Sequence, residues 1–280
     1  MEWRECKGQK FDSTGSLIFI LALVVLMYGS SLIPEISGAI LIAAGTGGLL
    51  FFLKWESRAK SPLLDVNVLR SNRAFIFSSL AFMINYATVF AVAFLLSLYL
   101  QYIKGLSADQ AGLILIAHPV IQALLSPWAG RLSDKIEPRF VASIGMALTS
   151  MGLLVFVFTG SGTPLWQVLM GLIIVGVGFA MFLSPNSNAL MSSVQPRYYG
   201  TASATMSTMI SLGQMLSMGI TMVVMTLVIG DTAITPEYYP AFITSARIAF
   251  GIFTLLCIGG VFISVFRGKS QEKLSQGGDK

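Results

Sequence analysis

Charge is scarce in this chain. Lys, Arg, Asp and Glu make up 11% of its 280 residues, against about 25% in a soluble domain. With 55% hydrophobic residues and a mean hydropathy of +0.77, that deficit excludes an ordinary water-soluble globule. Cysteine is scarcer still. Cys6 lies in a polar N-terminal stretch and Cys257 in an apolar run, so a disulfide-stapled framework is excluded. There is one histidine, and no Asp or Glu falls deep inside an apolar run. Metal-ligand clusters, a Ser/His/Asp set and paired carboxylates within the spans are all missing, so neither a metal centre nor an enzyme is expected. No glycine loop precedes a Lys-Ser/Thr pair, which argues against ATP-driven transport by this chain itself. The opening residues MEWRECKGQK lack the apolar region of a cleavable signal, so the first apolar run would itself direct insertion.

What is present is apolar length. A membrane helix needs about 20 apolar residues. Eight segments qualify, at 12–30, 36–54, 74–103, 110–129, 140–159, 164–193, 199–229 and 240–266. The fold class is therefore an all-α polytopic membrane protein with eight transmembrane helices. Basic residues give its orientation. Alternate connections carry Arg4, Lys7 and Lys10; Lys54, Arg58, Lys60, Arg70 and Arg73; Arg131, Lys135 and Arg139; Arg197; and the C-terminal tail. The opposite loops hold only Lys104. The positive-inside rule puts both termini on the cytoplasmic side of a cell membrane, and the net charge of +5 needs no nucleic acid to explain it.

Spacing divides the chain. Residues 1–11 form a cytoplasmic segment, 12–54 a two-helix hairpin, 55–73 a cytoplasmic linker, 74–266 a six-helix bundle and 267–280 a tail. Within the linker Leu63, Leu64, Val66, Val68 and Leu69 alternate with charge, a pattern suited to the membrane surface. The run 109–139 is the densest in signals. An apolar span carries His118-Pro119 near its middle and runs into the polar stretch GRLSDKIEPR, expected as a tight hairpin loop.

The six-span block resembles the C-terminal half of a major facilitator superfamily transporter, and more narrowly the fourteen-helix drug:proton antiporters of the EmrB/QacA type. The resemblance rests on FDSTG (11–15), PLLDVNVLRSNRAF (62–75), LQYIKGLSADQAGLILIAHP (100–119), GRLSDKIEPR (130–139), GVGFAMFLSPNSNAL (176–190) and YYGTASATMSTMISLGQ (198–214). It runs from residue 11 to about 268. Members of that family begin with six helices that have no counterpart here. The resemblance thus implies part of a transporter, whether from a shortened frame, a split gene or a cut chain, with an N-terminal six-helix half as partner. It also implies lipophilic substrates, a proton gradient as energy source and no bound cofactor.

Gly130, Arg131, Asp134 and Lys135 fit the superfamily's G-x-x-x-D-R/K motif, which implies a cytoplasmic gate. Gly130 would permit close helix approach, and Asp134 would cap a neighbouring helix or pair with a cation. Glu137-Pro138-Arg139 departs from the family's Gly-Arg-Arg. An ordinary solvated hairpin is the plainer alternative.

A mid-membrane ionisable group is costly and points to function. His118, with Gln122 one turn on, would either exchange protons or sit neutral between helices beside the Pro119 kink. Along 199–229, Ser203, Ser207, Ser211 and Gln214 share one face, and Met215, Met218, Met222 and Met225 continue it. That stripe suits either a cavity for varied lipophilic molecules or close helix packing. Asn85, Tyr86, Asn186 and Asn188 would line the same cavity or serve as packing contacts. Arg247 would snorkel to the interface or face an outer vestibule.

The function expected is secondary-active export by alternating access. Two alternatives remain beside it. One is a non-transporting membrane scaffold or assembly subunit, and the other is a homodimer that carries another small solute.

Overall fold

The structure, a computed structural model, describes residues 13–32, 35–56, 72–230 and 234–265. The surface linker expected at 63–69 lies outside the described residues, as do the N-terminal segment and the tail. The chain forms two compact units, divided between Asn72 and Arg73.

The first unit is a helical hairpin of α1 (Ser13–Ser31) and α2 (Ile36–Glu56). Glycine sets its closeness. A Cβ at Gly45 would lie 2.6 Å from Leu26 Cβ, and one at Gly38 would lie 2.8 Å from the Gly29 carbonyl oxygen. Phe19 and Phe52 stack across the pair at 5.0 Å.

The second unit holds six helices long and apolar enough to cross a membrane. The first is α3 (Arg73–Leu98), prolonged by a π turn at Tyr99–Ile103. The second has two segments, α4 (Ala108–Leu115) and α5 (Ala117–Lys135). Then come α6 (Pro138–Val157), α7 (Leu165–Ser192), α8 (Tyr199–Ile229) and α9 (Tyr239–Val265). Local chemistry explains the boundaries. Gly105 takes φ 67°, a backbone region open to glycine. The Ser-x-x-Gln stretch that follows closes a capping box: Ser107 Oγ accepts from the Gln110 amide and Gln110 Oε1 accepts from the Ser107 amide. Gly230, at φ 75°, ends α8.

The span expected at 110–129, with its kink at Pro119, lies within one apolar run, Ala108–Lys135, whose helix is interrupted at the single residue Ile116. Pro119 has no N–H to offer the Leu115 carbonyl, so the break falls one turn before it. One expectation is corrected here: the stretch expected as a loop after Gly130 is helical to Lys135. Nothing from Arg131 to Lys135 breaks a helix, and cations suit its C-terminal end. Pro138 imposes the stop, holding Glu137 at ψ 125°. The connection is only Ile136-Glu137.

Lipid gives no hydrophobic drive for helix association, so membrane helices need close contact. Glycine supplies it on α7. Gly145 and Gly152 of α6 meet Gly171 and Gly178 of α7, each pair two turns apart. A Cβ at Gly178 would lie 2.5 Å from the Thr149 amide nitrogen, and one at Gly145 would lie 2.6 Å from the Gly178 carbonyl. On another side of α7, a Cβ at Gly176 would lie 2.8 Å from the His118 carbonyl. So α7 packs against α6, α5 and α3; α9 joins α6 to α3; and α8 lies on α3 and α9. Phe82, Phe156, Phe182, Phe242, Phe250 and Phe253 fill the interior.

α5 and α8 are the edge helices. The most apolar window of the 108–135 span is 6% buried and that of α8 is 28% buried, while those of α3 and α7 are 61% buried. Gly178→Val should destabilise the chain by about 1–3 kcal/mol through overpacking. Gly251→Ala, with open space beside it, should be neutral or slightly stabilising. Thermal unfolding of the purified chain reads both, and equal effects would contradict the packing described.

Candidate functional site: an aromatic bridge across the open face

The sequence α5–α7–α3–α8 makes one face of the six-helix unit, and aromatic rings cross it. Tyr86 of α3 meets Phe179 of α7 edge-on at 5.2 Å, and Phe179 meets His118 of α5 edge-on at 5.7 Å. On the other flank, a Cβ at Gly213 of α8 would lie 3.0 Å from Tyr86 Cβ and 2.4 Å from the Met83 carbonyl. One continuous contact therefore runs Gly213–Tyr86–Phe179–His118. Phe179 is 4% exposed, whereas Tyr86 and His118 are only half-buried. Edge-to-face rings prefer this spacing. Gly176 brings the α5 backbone to α7 at the level of His118.

The break at Ile116 places His118 in the first turn of α5. Its ring faces α7, and its Nε2 is buried without a hydrogen-bond partner among the described residues. Gln122 follows one turn later, half-buried, with its backbone carbonyl accepting from Ser126 Oγ at 2.7 Å.

Of the residues expected to share a cavity, the structure joins Tyr86 and His118 and separates others. Asn85 lies about 100° round α3 from Tyr86 and is fully buried, so it does not line the open face. Neither its amide oxygen nor its nitrogen has a partner among the described residues. Asn186 is also fully buried and donates to the Ser78 carbonyl at 3.0 Å, tying α7 to α3. Asn188 reaches Ser133 Oγ at 3.4 Å. Arg247 is exposed, and its Nε donates to the Thr159 carbonyl at 2.7 Å.

On α8 the packed side is Ala202, Gly213, Ser217, Thr221 and Val224. Ser203, Ser207, Ser211, Gln214, Met215, Met218, Met222 and Met225 lie off it, half-buried or exposed. Ser211 turns its hydroxyl onto the Ser207 carbonyl at 3.0 Å. Of the polar-then-methionine stripe, Ser203, Ser207 and Met222 are exposed and the other five residues are partly covered.

In the motif at the end of α5, the close helix approach falls at Gly130. Gly130 sits beside Ser184 of α7, where a Cβ would lie 3.1 Å from its Oγ. Ser133 Oγ donates to the Gly130 carbonyl at 2.7 Å. Asp134 is exposed, makes no ion pair among the described residues and does not cap α6. Arg131 and Lys135 are exposed. Arg139 pairs with Glu137 at 2.6 Å and lies 4.6 Å over Phe140. Its neighbouring acid claims it, two residues away.

Sequence reasoning missed Phe179, Gly176, Gly213 and Ser217, whose Oγ accepts the Ala91 amide at 2.9 Å. The first two lie in GVGFA, where a bulky ring beside two glycines is the signal that was available.

The sequence pattern that defines the Major Facilitator Superfamily matches residues 78–279. The chain belongs to the Major Facilitator Superfamily. Among curated relatives, the riboflavin transporter RibZ of Clostridioides difficile is 24% identical over 95% of this chain and 58% of its own length. The multidrug resistance protein Stp of Mycobacterium tuberculosis is 25% identical over 76% of this chain and 40% of its own. The lincomycin resistance protein LmrB of Listeria monocytogenes is 26% identical over 62% and 37%. This superfamily member therefore spans well under two thirds of the length of the curated relatives it matches. Among solved structures, a bacterial homologue of the human lysosomal transporter Spinster, inward-facing and unoccupied, aligns with a TM-score of 0.55 at 15% identity. It covers 90% of this chain and 64% of that one, and it shows the fold alone.

A buried amide without partners adds desolvation cost and no bond, whereas cutting a made bond strands its partner. Asn85→Leu should therefore leave thermal stability unchanged or raised, while Asn186→Leu should lower it by about 1–3 kcal/mol. A stability loss at Asn85 matching that at Asn186 would contradict the unpartnered amide.

Proposed function

We propose that the chain is the C-terminal part of a secondary-active, proton-coupled exporter of lipophilic or planar aromatic compounds. It works by alternating access with a second six-helix bundle seated on the α5–α7–α3–α8 face. The observation that carries this reading is the bare edge pair. α5 and α8 are the least buried of the six spans, and the aromatic bridge lies between them. They carry His118, Gln122, Ser207 and Gln214 partly or wholly exposed, polar groups that lipid alone would leave unsatisfied. Rocking of two bundles about a site at their interface is how such folds move solutes. Edge-on rings and methionines accept varied apolar shapes, in keeping with relatives named for riboflavin, lincomycin and multidrug resistance.

Each group has a role in this mechanism. Tyr86 presents ring surface to the substrate, braced edge-on by the buried Phe179, and the methionines of α8 repack around it. The hydroxyls of Ser207 and Ser211 with Gln214 hydrate the same wall. His118 takes up and releases the exchanged proton, being the imidazole that the six spans contribute. The end of α5, docked through Gly130 on Ser184, closes the cytoplasmic side, with both termini on that side.

The test is dye or riboflavin flux in vesicles under an imposed proton gradient. The chain alone should carry none, and co-expression with an N-terminal six-helix half of a related antiporter should restore it. In that pair Phe179→Ala should cut flux roughly two- to tenfold, the worth of one aromatic contact. His118→Gln should abolish gradient-driven flux while sparing substrate exchange. Flux by the chain alone would overturn the need for a second bundle and favour a pair of like copies.

A further inference from the structure

At the end of the bundle remote from Ile136-Glu137, α6 stops at Val157 and residues 158–164 turn the chain into α7. Three successive carbonyls of that turn accept from two stretches of the unit, the end of α3 and the start of α9. The Thr159 carbonyl takes Arg247 Nε of α9 at 2.7 Å. The Gly160 carbonyl takes the Tyr99 hydroxyl at 2.7 Å. The Ser161 carbonyl takes Lys104 Nζ at 2.7 Å. The turn is braced internally as well: Thr163 Oγ1 accepts the Gly160 amide at 2.8 Å, and the Thr159 hydroxyl donates to the Phe156 carbonyl at 2.7 Å.

The π turn explains how two of these donors converge. In an α-helix, residues five apart point about 140° away from each other. The Tyr99–Ile103 turn closes instead through the Lys104 amide on the Tyr99 carbonyl at 3.2 Å, and that i→i+5 ring sets the two residues over one another. Lys104 Nζ lies 5.8 Å over the Tyr99 ring, in keeping with that stacking. Gly160 leaves the room needed, since a Cβ there would lie 3.0 Å from an Arg247 guanidinium nitrogen.

We propose that Tyr99, Lys104 and Arg247 are a three-pronged latch that locks the end of α3, the 158–164 turn and the start of α9 into one cooperative block. The latch takes nothing from α5 or α8. The unit thus holds a latched frame to which the two edge helices contribute no prong, whatever the cargo. Arg247, placed inside an apolar span at a cost that demands a partner, serves this lock.

Hydrogen exchange of the full chain in nanodiscs tests it, read on peptides covering 99–106, 156–164 and 239–250. Tyr99→Phe keeps the ring and removes one hydroxyl, so the fold is preserved. It should speed exchange roughly tenfold in the 158–164 turn and also in the first turns of α9, which it does not touch. Tyr99→Phe with Arg247→Met should add little beyond the larger single effect. If Arg247→Met prevents folding, Tyr99→Phe with Lys104→Met makes the same comparison. Faster exchange confined to residues beside each substitution, or effects that add independently, would overturn the latch.

Discussion

The close approach of α6 to α7 is the contact on which the rest of the six-helix unit depends. Helices in lipid gain nothing from hiding apolar surface, because the tails around them are equally apolar; they gain from contact and from satisfied hydrogen bonds. At Gly145 and Gly178 the backbones are near enough that a methyl group would collide. With α6 fixed there, α7 can be approached on another side at Gly176 by α5 and met by α3 through Phe82 and Phe182 at 5.5 Å. α7 becomes the hub, and Phe179, one residue beyond Gly178, is carried to the point where α3 and α5 both reach it.

The same geometry divides polar groups between two duties. Those at the ends of the bundle hold it together. Arg247, Tyr99 and Lys104 grip carbonyls at one end, while Ser133, Asn188 and the approach of Gly130 to Ser184 join α5 to α7 at the other. Those at middle depth on the open face, His118, Gln122 and Gln214, are half-buried and sparingly bonded. Buried polar groups in proteins are normally satisfied, and those left over tend to mark working parts. Here the leftover atoms among the described residues are on Ser79, Asn85 and His118.

Much of the fold was legible because hydropathy runs report length directly. The spans expected at 164–193 and 199–229 are observed as Leu165–Ser192 and Tyr199–Ile229. Breaks and extensions were harder, since they depend on backbone detail. Pro119 acts a turn ahead of itself, and the polar residues after Gly130 read as loop although nothing in them opposes a helix. The site was only partly legible. His118 and Tyr86 stand out as a charge-capable group and a phenol inside apolar runs, but Phe179 is one phenylalanine among 19 and only tertiary contact distinguishes it. Asn85 and Asn186 look alike in sequence, yet one is unbonded and the other bridges two helices. Arg247 was ambiguous because its partner is a main-chain carbonyl, which no side-chain pattern announces.

Whether a second bundle seats on the open α5–α8 face is tested directly by thiol labelling. In a Cys6→Ser background, with Cys257 buried, cysteines placed at Leu124 and Met222 are exposed on the two edge helices. Both should react with a membrane-permeant maleimide in the chain alone and become protected when an N-terminal six-helix half is co-expressed. A control cysteine at Leu255 of α9, also exposed, should stay reactive throughout. Equal labelling of Leu124 and Met222 positions with and without a co-purifying half would contradict the account.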